Sequence, residues 1–244
     1  MKPERLDKLL AAQTPYSRKD VRGLVRQGAV RVNGEPAKAA EQKIDLERDR
    51  VELFGNPLAL TRFSYLMLNK PEGVVSATRD GRDRTVLDLV PDELRRDGLF
   101  PAGRLDKDTT GFVLITNDGA FAHRILSPKS HVPKTYRAQL DLPIDEEIIR
   151  RFEEGFALER DVACKPARLR VLETGAQEWV EVILVEGMYH QIKRMFEHFG
   201  RRVLALQRVR MGALDLDTRL APGQCRLLIP DEVAKITESC GENG

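Results

Sequence analysis

The sequence has little of what several classes of protein require. Its 244 residues include only three cysteines and four histidines. Cys164, Cys225 and Cys240 are too few and too scattered for a disulfide framework or a zinc site, and no two histidines are spaced to hold a metal on one helical face. A glycine-rich dinucleotide motif and a phosphate-binding P-loop are also missing. We therefore expect neither a metal nor a cofactor.

Long apolar segments are missing as well. Uncharged stretches such as residues 9–17 extend for about nine residues, whereas a membrane-spanning helix needs about 20 apolar residues. The N-terminal residues 1–5 include three charged side chains where a secretion signal would have an apolar core. We expect a cytoplasmic protein that makes no contact with membranes.

The chain also has no large excess of charge, since 40 Lys+Arg face 38 Asp+Glu for a net charge of +2. Binding of nucleic acid depends on where cations lie and not on their sum. Between residues 186 and 210, six cations face two acids: Lys193, Arg194, Arg201, Arg202, Arg208 and Arg210 against Glu186 and Glu197. The low net charge therefore does not exclude an RNA partner.

The first 56 residues have the pattern of a small separate unit. Apolar residues at helical spacing predict two short helices, the second starting at Ser17 with Asp20 as its capping partner. Asn33-Gly34 predicts a hairpin after strand 30–32, and another strand is expected at residues 51–53. Polar residues outside the apolar stripe form a candidate RNA-binding set: Arg5, Lys8, Arg18, Lys19, Arg22, Arg26 and Asn33.

This basic surface has two interpretations, a solvated helical face or a face for phosphates. The motifs Arg5-Leu6-Asp7-Lys8, Ser17-Arg18 and Val30-Arg31-Val32-Asn33-Gly34 resemble the S4 RNA-binding domain. The resemblance implies that the helix pair and the hairpin contact structured RNA.

The remainder of the chain predicts an α+β domain with a mainly antiparallel, mixed sheet, because strands outnumber helices and few alternate with them. We expect an S4-like domain at 1–56, a linker at 57–62, a catalytic domain at 63–237 and a disordered tail at 238–244. The expected strands are 65–68, 112–116, 135–140, 167–171, 179–185 and 226–229, and the expected helices are 118–126, 145–154 and 191–199.

Three polar clusters in this domain could support chemistry. The loop 103–111 contains Asp106 and Asp108, which could act as an acid/base pair or cap turn amides. Lys193 begins a helix and could serve a site or form an ion pair with Glu197 one turn later. Tyr136 lies on a strand beside Lys134 and could stack on a base or belong to the core.

In this order and spacing, the clusters resemble the pseudouridine synthases, in the S4-containing branch that modifies ribosomal RNA. The matching motifs are Met67-Leu68-Asn69-Lys70-Pro71-x-Gly73, Gly103-Arg104-Leu105-Asp106-x-x-Thr109-x-Gly111, Lys134-Thr135-Tyr136, Glu186-Gly187-x-x-His190-Gln191-Ile192-Lys193-Arg194-Met195 and Leu206-x-Arg208 followed by Gly212. One departure is Met188, where the family usually has a basic residue.

The resemblance implies a role for each candidate residue. Asp106 acts on the ribose as nucleophile or base, Lys193 is its ion partner, and Tyr136 stacks on the flipped uracil and assists a late proton transfer. Supporting roles in the active site fall to Arg104, Thr109, Gly111, Leu206 and Arg208, and further RNA contacts to Lys134, His190, Gln191 and Arg194.

The resemblance further implies a monomer acting on 16S ribosomal RNA, or on the assembling small ribosomal subunit, with the uridine at position 516 as target. Two alternatives remain open, a large-subunit (23S) enzyme of the same branch and a non-catalytic RNA-binding assembly factor. A hydrolase built on Asp106 and Asp108 lacks a supporting nucleophile or histidine arrangement.

Overall fold

A computed structural model of the chain describes residues 3–58, 60–127, 130, 132–159, 162–173 and 178–238. The described chain divides into two units. The first unit contains the residues up to Ser64 together with Pro91–Leu99, and the second contains Tyr65–Val90 and the described residues from Phe100 onward. None of the helices in the described ranges is long and apolar enough to cross a membrane.

The N-terminal unit consists of a helix pair and short strands around a small apolar core. Leu6, Leu10 and Val21, on the inward faces of the two helices, are almost completely buried against Val30 and Ile44. Its elements are β1 (Glu4–Arg5), α1 (Leu6–Gln13), α2 (Arg18–Arg26), β2 (Val30–Val32), β3 (Glu35–Pro36), β4 (Lys43–Ile44), β5 (Val51–Leu53) and β6 (Asn56–Leu58). The predicted helix pair and the strand at 51–53 are confirmed.

Local sequence signals explain the boundaries in this unit. Ser17 caps α2 through its hydroxyl, and Asp20 completes a capping box. Asn33 and Gly34 both adopt positive φ, at 55° and 83°, as a two-residue hairpin turn between β2 and β3 requires. The sheet order is β3-β2-β5-β6. Because β6 pairs with β5, Pro57 and Leu58, the first residues of the expected linker, belong to this sheet.

The second unit is built on one large sheet flanked by helices. Its strands are β7 (Tyr65–Lys70), β8 (Phe100–Ala102), β9 (Thr110–Thr116), β10 (Lys134–Leu140), β11 (Phe156–Glu159), β12 (Val162–Cys164), β13 (Arg168–Glu173), β14 (Glu178–Leu184), β15 (Val203–Met211), β16 (Leu214–Asp215) and β17 (Cys225–Leu227). Its α-helices are α3 (Gly119–Leu126), α4 (Glu146–Glu154), α5 (Gln191–His198) and α6 (Pro230–Thr237), and 3₁₀ turns occur at Val86–Leu89 and, in the Pro91–Leu99 segment, at Asp92–Leu94.

Along the sheet of this unit the strand order is β13-β14-β10-β15-β9-β7-β17. Among the described strands, all ladders of this sheet are antiparallel except β9 with β15, which pair in parallel through Gln207–Thr110 and Arg208–Gly111. The predicted α+β class with a mainly antiparallel sheet is confirmed. The parallel pair brings β15 beside the loop that precedes β9, which is where the candidate site lies.

Several elements of the second unit were not predicted from the sequence: β8, β11, β12, β15, β16 and α6. Strand β15 was not predicted because Gln207, Arg208 and Arg210 interrupt its apolar run, yet it lies between β9 and β10 in the middle of the sheet. Helix α6 was also not predicted, although Pro230 at its first turn and the buried Ile236 are helical signals. The expected disordered tail lies outside the described residues except for Glu238, which follows α6 as its C-cap residue.

Candidate active site

A cleft of about 810 Å³ opens in the second unit, at the ends of β10 and β15. A smaller recess of about 80 Å³ shares several of its walls. Asp106, Arg104 and Tyr136 line both spaces. Lys134 and Arg208 line the cleft, and the recess is lined by further predicted site residues: Thr109, His190, Gln191, Lys193 and Leu206. The fold thus gathers sequence-distant motifs around a space of the size that suits a nucleotide.

The loop that contains Asp106 is held in place by two side chains, Lys70 at the end of β7 and Ser76 in the segment that follows. The ammonium of Lys70 is completely buried and donates to the carbonyl oxygens of Pro71, Lys107 and Thr109, at 3.1, 3.2 and 2.7 Å. The hydroxyl of Ser76 donates to the carbonyl oxygen of Leu105 at 2.9 Å and accepts from its amide at 3.0 Å. These bonds hold the backbone on both sides of Asp106 and leave its carboxylate free to face the cleft.

Burial also changes the acidity of the Lys70 ammonium. It lowers the pKa of the ammonium to about 8, and the nearby Asp108 and Asp106 carboxylates oppose that shift. Near neutral pH the group therefore stays largely protonated and can supply three N–H donors to three carbonyls. Sequence reasoning quoted Lys70 within a motif but gave it no role, and Ser76 carried no signal beyond its residue type.

Lys193, on the first turn of α5, lies between two carboxylates. Its ammonium is 2.6 and 2.7 Å from the two oxygens of Asp108 and 3.7 Å from Asp106 Oδ2. The hydrogen bond from Lys193 keeps the pKa of Asp108 below its ordinary value. The predicted ion pair with Asp106 is therefore present, but the shorter contact is to Asp108, to which the family resemblance gave no role.

The loop before α5 places two stacked rings at the rim of the site. Tyr189 and His190 lie with ring centroids 3.8 Å apart and an interplanar angle of 17°. His190 adopts a left-handed backbone conformation, and its Nε2 is 3.5 Å from Asp106 Oδ1. Tyr189 is 73% exposed, an unusual state for so large a ring, and its position could not be predicted from the sequence because an isolated tyrosine carries no orientation signal.

Tyr136 and Arg208 also line the cleft, and they are paired across the adjacent strands β10 and β15. Arg208 Nη1 lies 3.5 Å from the Tyr136 hydroxyl, and its guanidinium is 6.0 Å from the ring centroid. Arg208 Nε donates to the carbonyl oxygen of Phe112 at 2.7 Å. These contacts fix the edge of the tyrosine ring and leave it half-buried beside the cavity.

The remaining candidates of this unit have varied surroundings. Gln191 is buried, accepts from the Met188 amide at 2.9 Å and donates to Glu186, so its amide closes the loop 186–191. Arg194 reaches back to the Tyr189 carbonyl at 3.4 Å. Gly111 has φ of 98°, and a Cβ at this position would clash with the backbone of Arg208 on β15. Among the described residues, no group of three or more His, Cys, Asp or Glu side chains is arranged to hold a metal ion.

The candidate RNA-binding cations of the N-terminal unit are exposed, but several have acidic neighbours. Arg5 binds the buried Asp7 through two hydrogen bonds of 2.9 and 2.7 Å. Lys8 lies 3.3 Å from Glu4, and Arg22 lies 3.4 Å from Glu41. Exposed pairs of this kind are weak, so phosphates can compete for Lys8 and Arg22. For Arg18, Lys19 and Arg26, the described residues include no acidic side chain within ion-pair distance.

Asn33 has a structural part in this unit. Its side-chain amide donates to Asp49 at 2.9 Å, and its side-chain oxygen accepts from the Arg50 amide at 2.9 Å. Both polar ends are therefore used to brace the hairpin turn. An RNA contact by Asn33 stays a prediction.

Comparison with known proteins identifies the family. The model of the RNA pseudouridylate synthases matches residues 64–198, and that of the S4 domain matches residues 4–51. The chain belongs to the RNA pseudouridylate synthases. It is therefore an isomerase with an S4 domain at its N-terminal side, as the motifs predicted.

Relatives of the synthase cover nearly the whole chain. It is 46% identical over 235 residues to an uncharacterized RNA pseudouridine synthase of Bacillus subtilis, covering 96% of this chain and 98% of that protein. It is 43% identical over 235 residues to the ribosomal small subunit pseudouridine synthase A of Escherichia coli, covering 95% and 99%. A solved pseudouridylate synthase structure superposes with a TM-score of 0.66 at 37% identity, covering 96% and 99%.

Proposed function

We propose that this synthase isomerises one uridine of small-subunit (16S) ribosomal RNA to pseudouridine, with position 516 as the target, and that Asp106 is its catalytic carboxylate. The observation that carries the catalytic assignment is the convergence of Asp106, Tyr136 and Lys193 on one recess. The similarity in sequence to enzymes named ribosomal small subunit pseudouridine synthase A supports the choice of RNA.

The reaction breaks the bond between uracil N1 and ribose C1′, turns the base, and joins C5 to C1′. Nothing is oxidised or added. Asp106 is suited to act at the sugar because its carboxylate lines the cleft, where Lys193 Nζ and His190 Nε2 lie within 4 Å of it among the described residues. The Lys193 ammonium is a cation, and a cation stabilises the negative charge of a carboxylate that acts as nucleophile or base.

The target base must leave its helical stack, which costs a few kcal/mol, before it can enter this cleft. Tyr136 offers a ring for stacking, which offsets about 1–3 kcal/mol. Arg104 is exposed at the mouth of the cleft, where it can contact the phosphate or fill the space that the flipped base vacates. Leu206 is buried in the recess and helps to exclude water. The S4 domain would hold a second RNA surface and raise the effective concentration of the target at the cleft.

Substituting each loop carboxylate in turn tests the catalytic assignment. Asp106→Asn should abolish pseudouridine formation and leave RNA binding intact, because it removes the carboxylate that acts on the sugar and no phosphate contact. Asp108→Asn is the matched control in the same loop. It should retain measurable activity, because the Asp108 carboxylate binds Lys193 and is not the group that we propose to act on the sugar. An active Asp106→Asn protein combined with an inactive Asp108→Asn protein would reverse the assignment.

The RNA target is tested by mapping pseudouridines in ribosomal RNA from cells with and without the gene. Loss of a single pseudouridine at position 516 of 16S RNA is the expected result. Loss of a pseudouridine in 23S RNA, with 16S RNA unchanged, would overturn the assignment of the small subunit. A ribosomal substrate would also place the enzyme in the cytoplasm, where we expect it to act as a monomer on free 16S RNA or on the assembling subunit.

A further inference from the structure

Two buried cations lie side by side in the wall of the cleft. Lys134 on β10 is 8% exposed and Arg208 on β15 is 3% exposed, and both line the cavity. Lys134 and Tyr136 are two residues apart on β10, so their side chains share one face, and Arg208 is the cross-strand neighbour of Tyr136. The cations therefore flank the ring proposed to stack on the target base.

Within the described residues, neither cation has an acidic partner. Arg208 uses Nε on the Phe112 carbonyl and Nη1 on the Tyr136 hydroxyl, whereas its buried Nη2 has no hydrogen-bond acceptor. No described residue accepts a hydrogen bond from the ammonium of Lys134. Burial of two like charges without a counter-charge is unfavourable, and proteins rarely retain it without a ligand that compensates.

The charges also affect each other. Burial, and then the Arg208 guanidinium, lower the pKa of Lys134 to about 8. An anion bound in the cleft would remove this repulsion and hold Lys134 in its protonated form. The site is thus complementary to a negative charge that enters the cavity. The carboxylate of Asp106, which also lines the cavity, lies within 4 Å of Lys193 and His190.

The proposed reaction generates such an anion. When the bond from N1 to C1′ breaks, its electron pair stays on the uracil, and the charge spreads over N1, O2 and O4. The anion must remain in the cleft while it turns, and the electron pair that forms the new bond to C1′ then comes from C5. The C5 proton is lost and N1 is protonated, so atoms and charge balance without a co-reactant.

We propose that Lys134 and Arg208 form an anion subsite that holds the detached uracil, donating to its carbonyl oxygens through Lys134 Nζ and Arg208 Nη2. The inference rests on the proposed function, because the anion exists only if the glycosidic bond is cleaved in this cleft. It assigns to Lys134 the stabilisation of the charge that develops during bond cleavage, in place of the general RNA contact that the resemblance implied.

A leaving-group experiment tests this subsite. Lys134→Met removes the charge and keeps the length of the side chain, and Arg137→Met on the exposed side of the same strand is its matched control. Consumption of the intact target nucleoside is measured under single-turnover conditions, at saturating enzyme, on two RNA fragments that contain the target as uridine or as 5-fluorouridine. This readout follows cleavage of the bond from N1 to C1′ and does not require loss of the C5 proton, which fluorine replaces in the second RNA. Fluorine withdraws electrons and stabilises the departing uracil anion, so the fluorinated RNA depends less on the protein for that task.

The expected result for Lys134→Met is a rate about 100-fold lower on uridine RNA, as when one preorganised donor is removed, and a clearly smaller deficit on 5-fluorouridine RNA. Dissociation constants and the Arg137→Met rates should match the wild type. Equal deficits on both RNAs, or a deficit confined to RNA affinity as for a phosphate contact, would overturn the subsite. If Lys134→Met is misfolded by circular dichroism, Lys134→Gln replaces it with the same expectations. A wild-type protein inactive on uridine RNA would instead refute the proposed function.

Discussion

Gly111 offers a sharp test of how the fold positions the catalytic loop. It has φ of 98° and lies where β9 begins to pair with β15. A Cβ at this position would lie 2.3 Å from the carbonyl oxygen of Arg208 and 2.9 Å from Gln207 Cγ. Since an ordinary C···O contact is about 3.3 Å or more, Gly111→Ala must push the two strands apart by about 1 Å.

The cost follows from two terms. A side chain at positive φ costs roughly 1–2 kcal/mol, and weakening the two pairings that join β9 to β15 costs about 1 kcal/mol each. We expect the free energy of unfolding of the catalytic unit to fall by about 3–4 kcal/mol, which lowers Tm by about 6–16 °C for a chain of this size. The shift also moves Arg208 and the loop of Asp106 relative to each other, and a displacement of about 1 Å can cost 100-fold in rate.

Calorimetry and single-turnover kinetics on 16S RNA measure both effects. Gly119→Ala is the matched control, because Gly119 begins α3 and a Cβ there meets no atom within 4 Å. Alanine favours a helix by up to about 1 kcal/mol over glycine, so the control should melt at the wild-type temperature or slightly above it. A Gly111→Ala enzyme with the melting temperature and activity of the wild type would refute the steric reasoning.

Two further predictions concern charged groups. Lys193→Met should lower kcat by about 10- to 100-fold, equivalent to about 1.4–2.7 kcal/mol, with Lys193→Arg retaining most of the activity; unchanged single-turnover rates for Lys193→Met would show that the ammonium does not serve Asp106. Asp7→Asn should lower the urea midpoint of the N-terminal unit at pH 7, because hydrogen bonds from Arg5 hold the pKa of Asp7 below its ordinary value. A carboxylate with a lowered folded pKa contributes stability above its unfolded pKa of about 3.9 and loses it as pH falls through the folded value. The difference from wild type, followed by urea unfolding, should therefore shrink below about pH 4, and a difference independent of pH would contradict this account.

Local signals in the sequence predicted much of the fold. The Ser17 capping box and the Asn33-Gly34 turn depend on residues three or fewer apart, and both occur as predicted. Strand β15 escaped prediction because its place in the middle of the sheet is a long-range property that its mixed apolar and charged pattern does not encode. Pairing between β9 and β15 joins residues almost a hundred positions apart, and no short motif specifies it.

The same distinction between local signals and long-range contacts applies to the candidate site. The motifs around Asp106, Tyr136 and Lys193 identified the family from the sequence alone, because their residue types and spacing are those of the family. Only the tertiary structure decided which groups meet. The nearer partner of Lys193 is Asp108, the loop of Asp106 is held by Lys70 and Ser76, and Lys134 and Arg208 are both buried with no acidic partner in the described part of the chain. These relations depend on distances of a few ångströms between strands and loops far apart in the chain, and packing sets such distances where residue order cannot.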